Sequence, residues 1–164
     1  MKKLFIAVFM FVSTFTTNIF ADGHAIKMGI ILGFTGPIES LTPAMAASAE
    51  LAFKEASDSG SLLGGKTITP IRADSTCVDS AAATSAAEDL ISQGVAAIMG
   101  ADCSGVTGAI ASNAAVPKGV VMISPSATSP GLTDLDDKGF FFRTAPSDAR
   151  GGQILADITK DRGI

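Results

Sequence analysis

The chain has 164 residues, with 12 lysines and arginines against 16 aspartates and glutamates, and a formal net charge of −4 at pH 7. An acidic surplus with no basic cluster repels phosphate backbones, which argues against a nucleic-acid partner. The length suits one ordinary hydrophobic core, and two cysteines with a single histidine, His24, are poor material for a metal centre.

Residues 1–21 have the layout of a secretory signal peptide. Lys2 and Lys3 precede an apolar run over 4–12, a polar stretch over 13–18, and Ile19-Phe20-Ala21 with a small residue at the cleavage point. The apolar run is too short to span a bilayer. Cleavage after Ala21 removes two lysines and no acids, leaving 10 basic against 16 acidic residues and a charge of −6. The expected destination is outside the cytoplasm. In an exported chain, Cys77 and Cys103 favour a disulfide over free thiols, worth roughly 3 kcal/mol by the loop-entropy model.

Beyond the signal, strands and helices alternate. Residues 26–33 (IKMGIILG) form an isoleucine-rich run closed by glycine, fit for a central strand. A helix is expected over 43–56, with Thr42 as N-cap and Pro43 in its first turn. A turn-rich break over 57–65 leads to a second strand at 66–74. Asp79 or Ser80 caps an alanine-rich helix that ends at Gly94. The third strand spans 95–100 and the third helix 104–115, stopped by Pro117 and Gly119. A fourth strand at 120–124 opens into a loop over 125–137. A fifth extended segment covers 140–144, and Ser147 or Asp148 caps a last helix ending near Gly163. Apolar strands joined by amphipathic helices predict an α/β fold with a doubly wound parallel sheet. The end of the chain, just after a helix, reads as the front portion of something longer.

The chemistry-bearing residues point away from an enzyme. Gly29, Gly33 and Gly36 do not follow the dinucleotide spacing, and no phosphate-binding G-x-x-x-x-G-K-[ST] occurs, so no cofactor is implied. Ser104 lacks the G-x-S-x-G elbow and a histidine base. Asp74, Asp79 and Asp102 lie near strand ends, where aspartates mostly cap helices or form turns. What remains is a hydroxyl-rich rim: Ser104 before the third helix, and residues 124–129 (SPSATS) after the fourth strand. In a parallel sheet both emerge at one edge, where hydroxyls and free amides suit a carboxylate.

Five ordered motifs carry a resemblance. They are Gly33-Phe34-Thr35-Gly36-Pro37; Cys77; Ile98-Met99-Gly100 followed by Cys103-Ser104; Met122-Ile123-Ser124-Pro125-Ser126-Ala127-Thr128; and Phe142-Arg143-Thr144-Ala145-Pro146-Ser147-Asp148. In this order the chain resembles the front half of a type I periplasmic substrate-binding protein, similar to the leucine/isoleucine/valine-binding components of ABC importers. The resemblance implies a first lobe over 22–139, and over 140–164 a crossover segment with the first helix of a second lobe. It implies a lobe-one disulfide between Cys77 and Cys103. Ser104 would donate to a ligand carboxylate, and Ser126, through its backbone, and Thr128 would contact the ligand's carboxylate and ammonium. Arg143 would be structural.

Where leucine-binding members carry an aromatic residue after the Gly-Pro turn, this chain has Leu41, which leaves the solute's side chain open. The implied partners are an amino acid or amide and a permease in the inner membrane. The implied activity is non-enzymatic capture between two lobes. A sensor or receptor domain of the same fold is the first alternative, and an α/β hydrolase fragment the second.

Overall fold

The computed structural model describes residues 25–164, so the expected signal peptide and His24 lie outside the described residues. The apolar runs form β1 (Ala25–Leu32), β2 (Thr67–Asp74), β3 (Ala97–Gly100), β4 (Val121–Ser124) and β5 (Phe141–Arg143). Between them run α1 (Thr42–Asp58), α2 (Ser80–Ser92) and α3 (Ser104–Ile110), with α4 (Asp148–Asp161) last. All strand pairs are parallel, in the order β2-β1-β3-β4-β5. The expected α/β class and parallel sheet are therefore present. Strand order reverses between β1 and β3, the kind of switch point at which open α/β sheets hold ligands.

The alternation of β1 divides the core between two faces. Ile30 and Leu32 pack with Ala46 of α1, with Phe34, Met45, Ala49 and Phe53 around them. Ile31 points the other way, into a cluster with Ala83, Ala87 and Leu90 of α2, Val106 and Ile110 of α3, and Ile98, Met122 and Phe141 of the sheet. Burying each large aliphatic side chain is worth about 1.5–3 kcal/mol, so β1, apolar on both faces, is the strand that joins the two layers. Alanines on α2 let that helix lie close to the sheet.

One part of the sheet is open. Met99, Ile123 and Phe142 are register neighbours on the face that α1 covers over β1. α1 does not extend over β4 and β5, and Ile123 and Phe142 remain 42% and 51% exposed. Helix α4 buries no residue, and its Ile154, Leu155 and Ile158 stay exposed.

Most elements lie within a residue or two of expectation, the usual scatter of element ends. Asp79 caps α2 by accepting from the Ala81 and Ala82 amides, and Ser147 caps α4 by accepting from Ala149. Two expectations are corrected. Thr42 is not the N-cap of α1: Leu41 holds that position, and the buried Thr42 hydroxyl donates to the Gly33 carbonyl at 3.1 Å, tying α1 to the end of β1. Pro117 does not stop the third helix. The chain continues through a π turn (Ala111–Ala115) and a 3-10 turn (Val116–Lys118), because a proline in a first turn needs no N–H partner. Gly119, at φ +67°, ends the run.

Gly100 is where the sheet tolerates no side chain. Its φ is +130°, and a Cβ there would lie 1.9 Å from the Ile31 carbonyl oxygen of the neighbouring strand. Backbone cannot yield as a flexible side chain does. We expect Gly100→Ala to lower unfolding free energy by about 3 kcal/mol, combining overpacking with an unfavourable φ. Urea unfolding of the mature protein measures it, and a change within experimental error would contradict this packing.

Candidate functional site

Parallel strands deliver their carboxyl ends to one edge, and there the loops after β1, β2, β3 and β4 meet. The link among them is Asp102, 4% exposed. Its Oδ2 accepts from the Gly33 amide at 2.9 Å, and its Oδ1 from the Cys103 amide at 3.0 Å and the Ser75 hydroxyl at 3.4 Å. Its carbonyl accepts from the Ser126 hydroxyl at 3.0 Å. The Cys77–Cys103 disulfide, with a Cα–Cα distance of 5.2 Å, joins the loops after β2 and β3 a second time. Gly36 permits the close approach of the first loop: at φ +96°, a Cβ would meet the Thr76 carbonyl oxygen at 2.5 Å.

Asp74 holds the next turn. Its Oδ1 accepts from the Thr76 amide at 2.8 Å and the Thr35 amide at 3.3 Å, and its Oδ2 from the Thr35 hydroxyl. In this turn Thr76 and Cys77 adopt left-handed conformations, at φ +57° and +69°. Outside this turn, Arg72 makes a two-point ion pair with Glu50 of α1 and lies over the Phe34 ring at 5.5 Å. The three aspartates near strand ends thus direct their oxygens to backbone amides and hydroxyls, and Asp79 is a helix cap.

The expected site residues separate by what their polar atoms do. Ser104, the first residue of α3, accepts at Oγ from the Thr128 and Ser129 amides, both at 3.1 Å. A serine oxygen has two acceptor sites and one proton. Both sites are taken, and among the described residues no protein group accepts the proton. Ser126 commits its hydroxyl to Asp102, so its side chain is structural.

The Ser126 backbone differs from that of its neighbours. The carbonyls of residues 124, 125, 127, 128 and 129 all accept hydrogen bonds: from the Thr144 amide, the Thr144 hydroxyl, Arg143, the Asp148 amide and Arg143 again. The Ala127 amide donates to the Ser124 hydroxyl, and those of Thr128 and Ser129 to Ser104. Among the described residues, the N–H and C=O of Ser126 have no protein partner. Thr128 is half-buried, and its hydroxyl is likewise unengaged among them.

Ser104, Ser126 and Thr128 are therefore brought together. Leu41 stands on the loop after β1 at the same edge, 60% exposed, and no hydrogen bond ties it to the other three. Its amide donates to the Ile38 carbonyl and its carbonyl accepts from the Met45 amide. A shallow cleft of about 370 Å³ lined by Glu88, Ile91, Ser92 and Lys118 lies at the opposite edge of the sheet and shares none of these groups. Arg143 donates to the Ala127 and Ser129 carbonyls and to the Thr133 hydroxyl. The linking role of Asp102 was not foreseen, since an aspartate beside a cysteine carries no sequence signal of which amides it will meet.

The family model described as the receptor family ligand binding region matches residues 44–163. The chain is 27% identical over 143 residues to Leu/Ile/Val-binding protein homolog 3 of Brucella melitensis, across 87% of this chain and 37% of that protein. To the Leu/Ile/Val-binding protein BraC3 of Rhizobium johnstonii it is 31% identical over 111 residues, across 67% of this chain and 29% of that one. Among solved structures, the branched-chain amino acid transporter substrate binding protein LivJ of Streptococcus pneumoniae, in complex with isoleucine, matches with a TM-score of 0.67 at 34% identity. That match covers 76% of this chain and 34% of the other. A solute binding protein of an ABC transporter from R. palustris, in complex with benzoate, matches with a TM-score of 0.71 at 26% identity, covering 85% and 38%. The chain spans about a third of the length of the curated relatives it matches.

Asp74 makes the edge sensitive to acid. Burial pushes its carboxyl up, but bonds from the Thr35 hydroxyl and from the amides of Thr76, Thr35 and Phe34 outweigh this and hold it below its ordinary value. A depressed carboxyl contributes stability that is present above its unfolded value, near pH 4, and lost as pH falls through the folded one. We expect the unfolding free energy to drop on acidification below about pH 4, and Asp74→Asn to remove part of that drop while costing stability at neutral pH. Urea titrations at stepped pH compare the two proteins, and identical acid limbs would refute the assignment.

Proposed function

The chain belongs to the family of receptor ligand-binding regions, as a fragment of the type I periplasmic branched-chain amino acid binding kind, and from that premise we propose that it is the first lobe of an extracytoplasmic solute-binding component of an ABC importer. The observation that carries the proposal is the set of polar atoms without a protein partner at the sheet edge. One serine proton, one threonine hydroxyl, one backbone N–H and one backbone C=O remain there, beside carbonyls of residues 124–129 that are otherwise all engaged.

The chemistry of that set fits a small zwitterion or amide. The Ser104 proton and the Ser126 N–H are donors for a carboxylate. The Ser126 carbonyl and the Thr128 hydroxyl are acceptors for an ammonium or amide N–H. Because the backbone supplies half of the set, recognition of the solute's head group depends on loop shape more than on side-chain identity. Leu41, exposed on the same edge, supplies an apolar wall for the solute's side chain. The isoleucine and benzoate complexes of similar proteins support a small carboxylate as the cargo.

In this proposal residues 22–139 form most of lobe one, and residues 140–164 are the crossover and first helix of lobe two. The exposed apolar faces of β4–β5 and α4 are consistent with further chain packing against them. A second lobe closes over the solute, and the closed form, favoured by its higher affinity, is the one a membrane permease engages. The protein is non-enzymatic and periplasmic, delivered by the signal peptide of residues 1–21.

A thermal-shift screen of the full-length mature protein against L-amino acids, small amides and benzoate tests the proposal, since a solute bound to the native state must raise the melting temperature. A positive shift with at least one carboxylate is the expected result, and none across the panel would remove this function. Calorimetry of Ser104→Ala should then show affinity weakened by about 1–3 kcal/mol, as for a hydrogen bond to a charged group, with Ser104→Thr retaining most of it. Equal affinities for Ser104→Ala and the parent would take Ser104 out of the site.

A further inference from the structure

Arg143 lies outside the set of atoms assigned to the solute, yet it governs the loop that carries them. Its Nη1 donates to the Ala127 carbonyl at 3.2 Å and the Ser129 carbonyl at 2.8 Å, and its Nη2 to the Thr133 hydroxyl at 2.7 Å. The two carbonyls flank Thr128. The ion pairs among the described residues are Lys54–Asp58 and Arg72–Glu50, so this half-buried guanidinium is solvated by carbonyl and hydroxyl dipoles and by no carboxylate. Its neighbours extend the contact. The Thr144 amide donates to the Ser124 carbonyl at 3.0 Å, the Thr144 hydroxyl to the Pro125 carbonyl at 3.2 Å, and the Asp148 amide to the Thr128 carbonyl at 3.0 Å.

We propose that Arg143 is a positioning residue for solute capture: it clamps residues 127–129 to the crossover segment so that loop and crossover move as one body. The proposal rests on the solute-binding function above. Segment 143–148 binds all carbonyls of residues 124–129 except that of Ser126. Within that segment Arg143 takes the two carbonyls on either side of Thr128, and Thr144 and Asp148 take the other three. A planar fork with donors at fixed angles reaches the two carbonyls and the Thr133 hydroxyl together, which a lysine ammonium on a flexible stem does not reproduce. The coupling is reciprocal. A solute that orders the loop also orders the crossover, and a crossover that bends during lobe closure re-aims the Ser126 amide.

The test uses the full-length mature protein and its Arg143→Gln and Arg143→Lys variants, with two readouts. In the absence of solute, hydrogen exchange at the amides of Ala127, Thr128 and Ser129 should accelerate at least about tenfold in both variants, while β1 and β2 amides keep their parent rates. With L-isoleucine as probe, or benzoate where the parent protein binds only that, affinity should fall by about tenfold or more in both variants. In a double-mutant cycle with Ser104→Ala the two losses should not add, because a clamp acts through the atoms it holds. Unchanged loop exchange, acceleration spread evenly through the sheet, or full recovery of affinity in Arg143→Lys would each overturn the clamp. A parent protein that binds neither probe leaves the solute-binding function to the wider panel above, and loop exchange alone then decides the clamp.

Discussion

Asp102 takes hydrogen bonds from the Gly33 amide, the Cys103 amide and the Ser75 hydroxyl, so the loops after three strands are fixed to one buried side chain. Burying a carboxylate without partners costs several kcal/mol, and here neutral donors offset that cost at both oxygens. The arrangement works only if β1, β2 and β3 end at the same height, which parallel pairing from Leu32 to Asp74 and from Ile31 to Gly100 ensures. The disulfide reinforces the same junction from outside. Ser104 follows directly, so the placement of its hydroxyl is inherited from Asp102 and Cys103.

The fourth loop reaches this junction differently. It hangs on Asp102 through the Ser126 hydroxyl and on Ser104 through two amides, and it is gripped from the far side by Arg143, Thr144 and Asp148. Satisfying nearly every backbone group of a six-residue loop leaves a small, defined remainder. Ser126 is exposed, so its unpaired amide and carbonyl stand open to water or to a solute. The physical economy is plain: side-chain hydroxyls hold the loop, and the backbone they hold faces outward.

Packing below the edge is close on both faces of β1. β1 is apolar on both faces and is held between α1 and the α2–α3 layer, and at Gly100 the backbones of β1 and β3 approach too closely for any side chain. The opposite end of the sheet is looser. Ile123 and Phe142 are half open, and α4 buries no residue. A tightly packed end and an open end therefore coexist within one sheet, with Arg143 between them.

Composition and periodicity determined the strands, the helices and the parallel sheet, because short apolar runs alternate with longer amphipathic or alanine-rich segments bounded by glycine, proline and capping residues. Residue type also marked Ser104, Ser126, Thr128 and the cysteine pair, through position at strand ends and resemblance to known motifs. Thr42 and Pro117 show where local signals mislead. A threonine before a proline looks like a cap until a buried carbonyl 9 positions earlier takes its proton. A proline looks like a stop until a 3-10 turn absorbs it. Only the tertiary structure decided that the Ser126 hydroxyl goes to the Asp102 carbonyl, and that Asp102 and Arg143 set the place of the backbone to which the resemblance points. Those facts depend on partners 14 to 69 residues away, and a hydrogen bond between distant residues leaves no periodic trace in the chain.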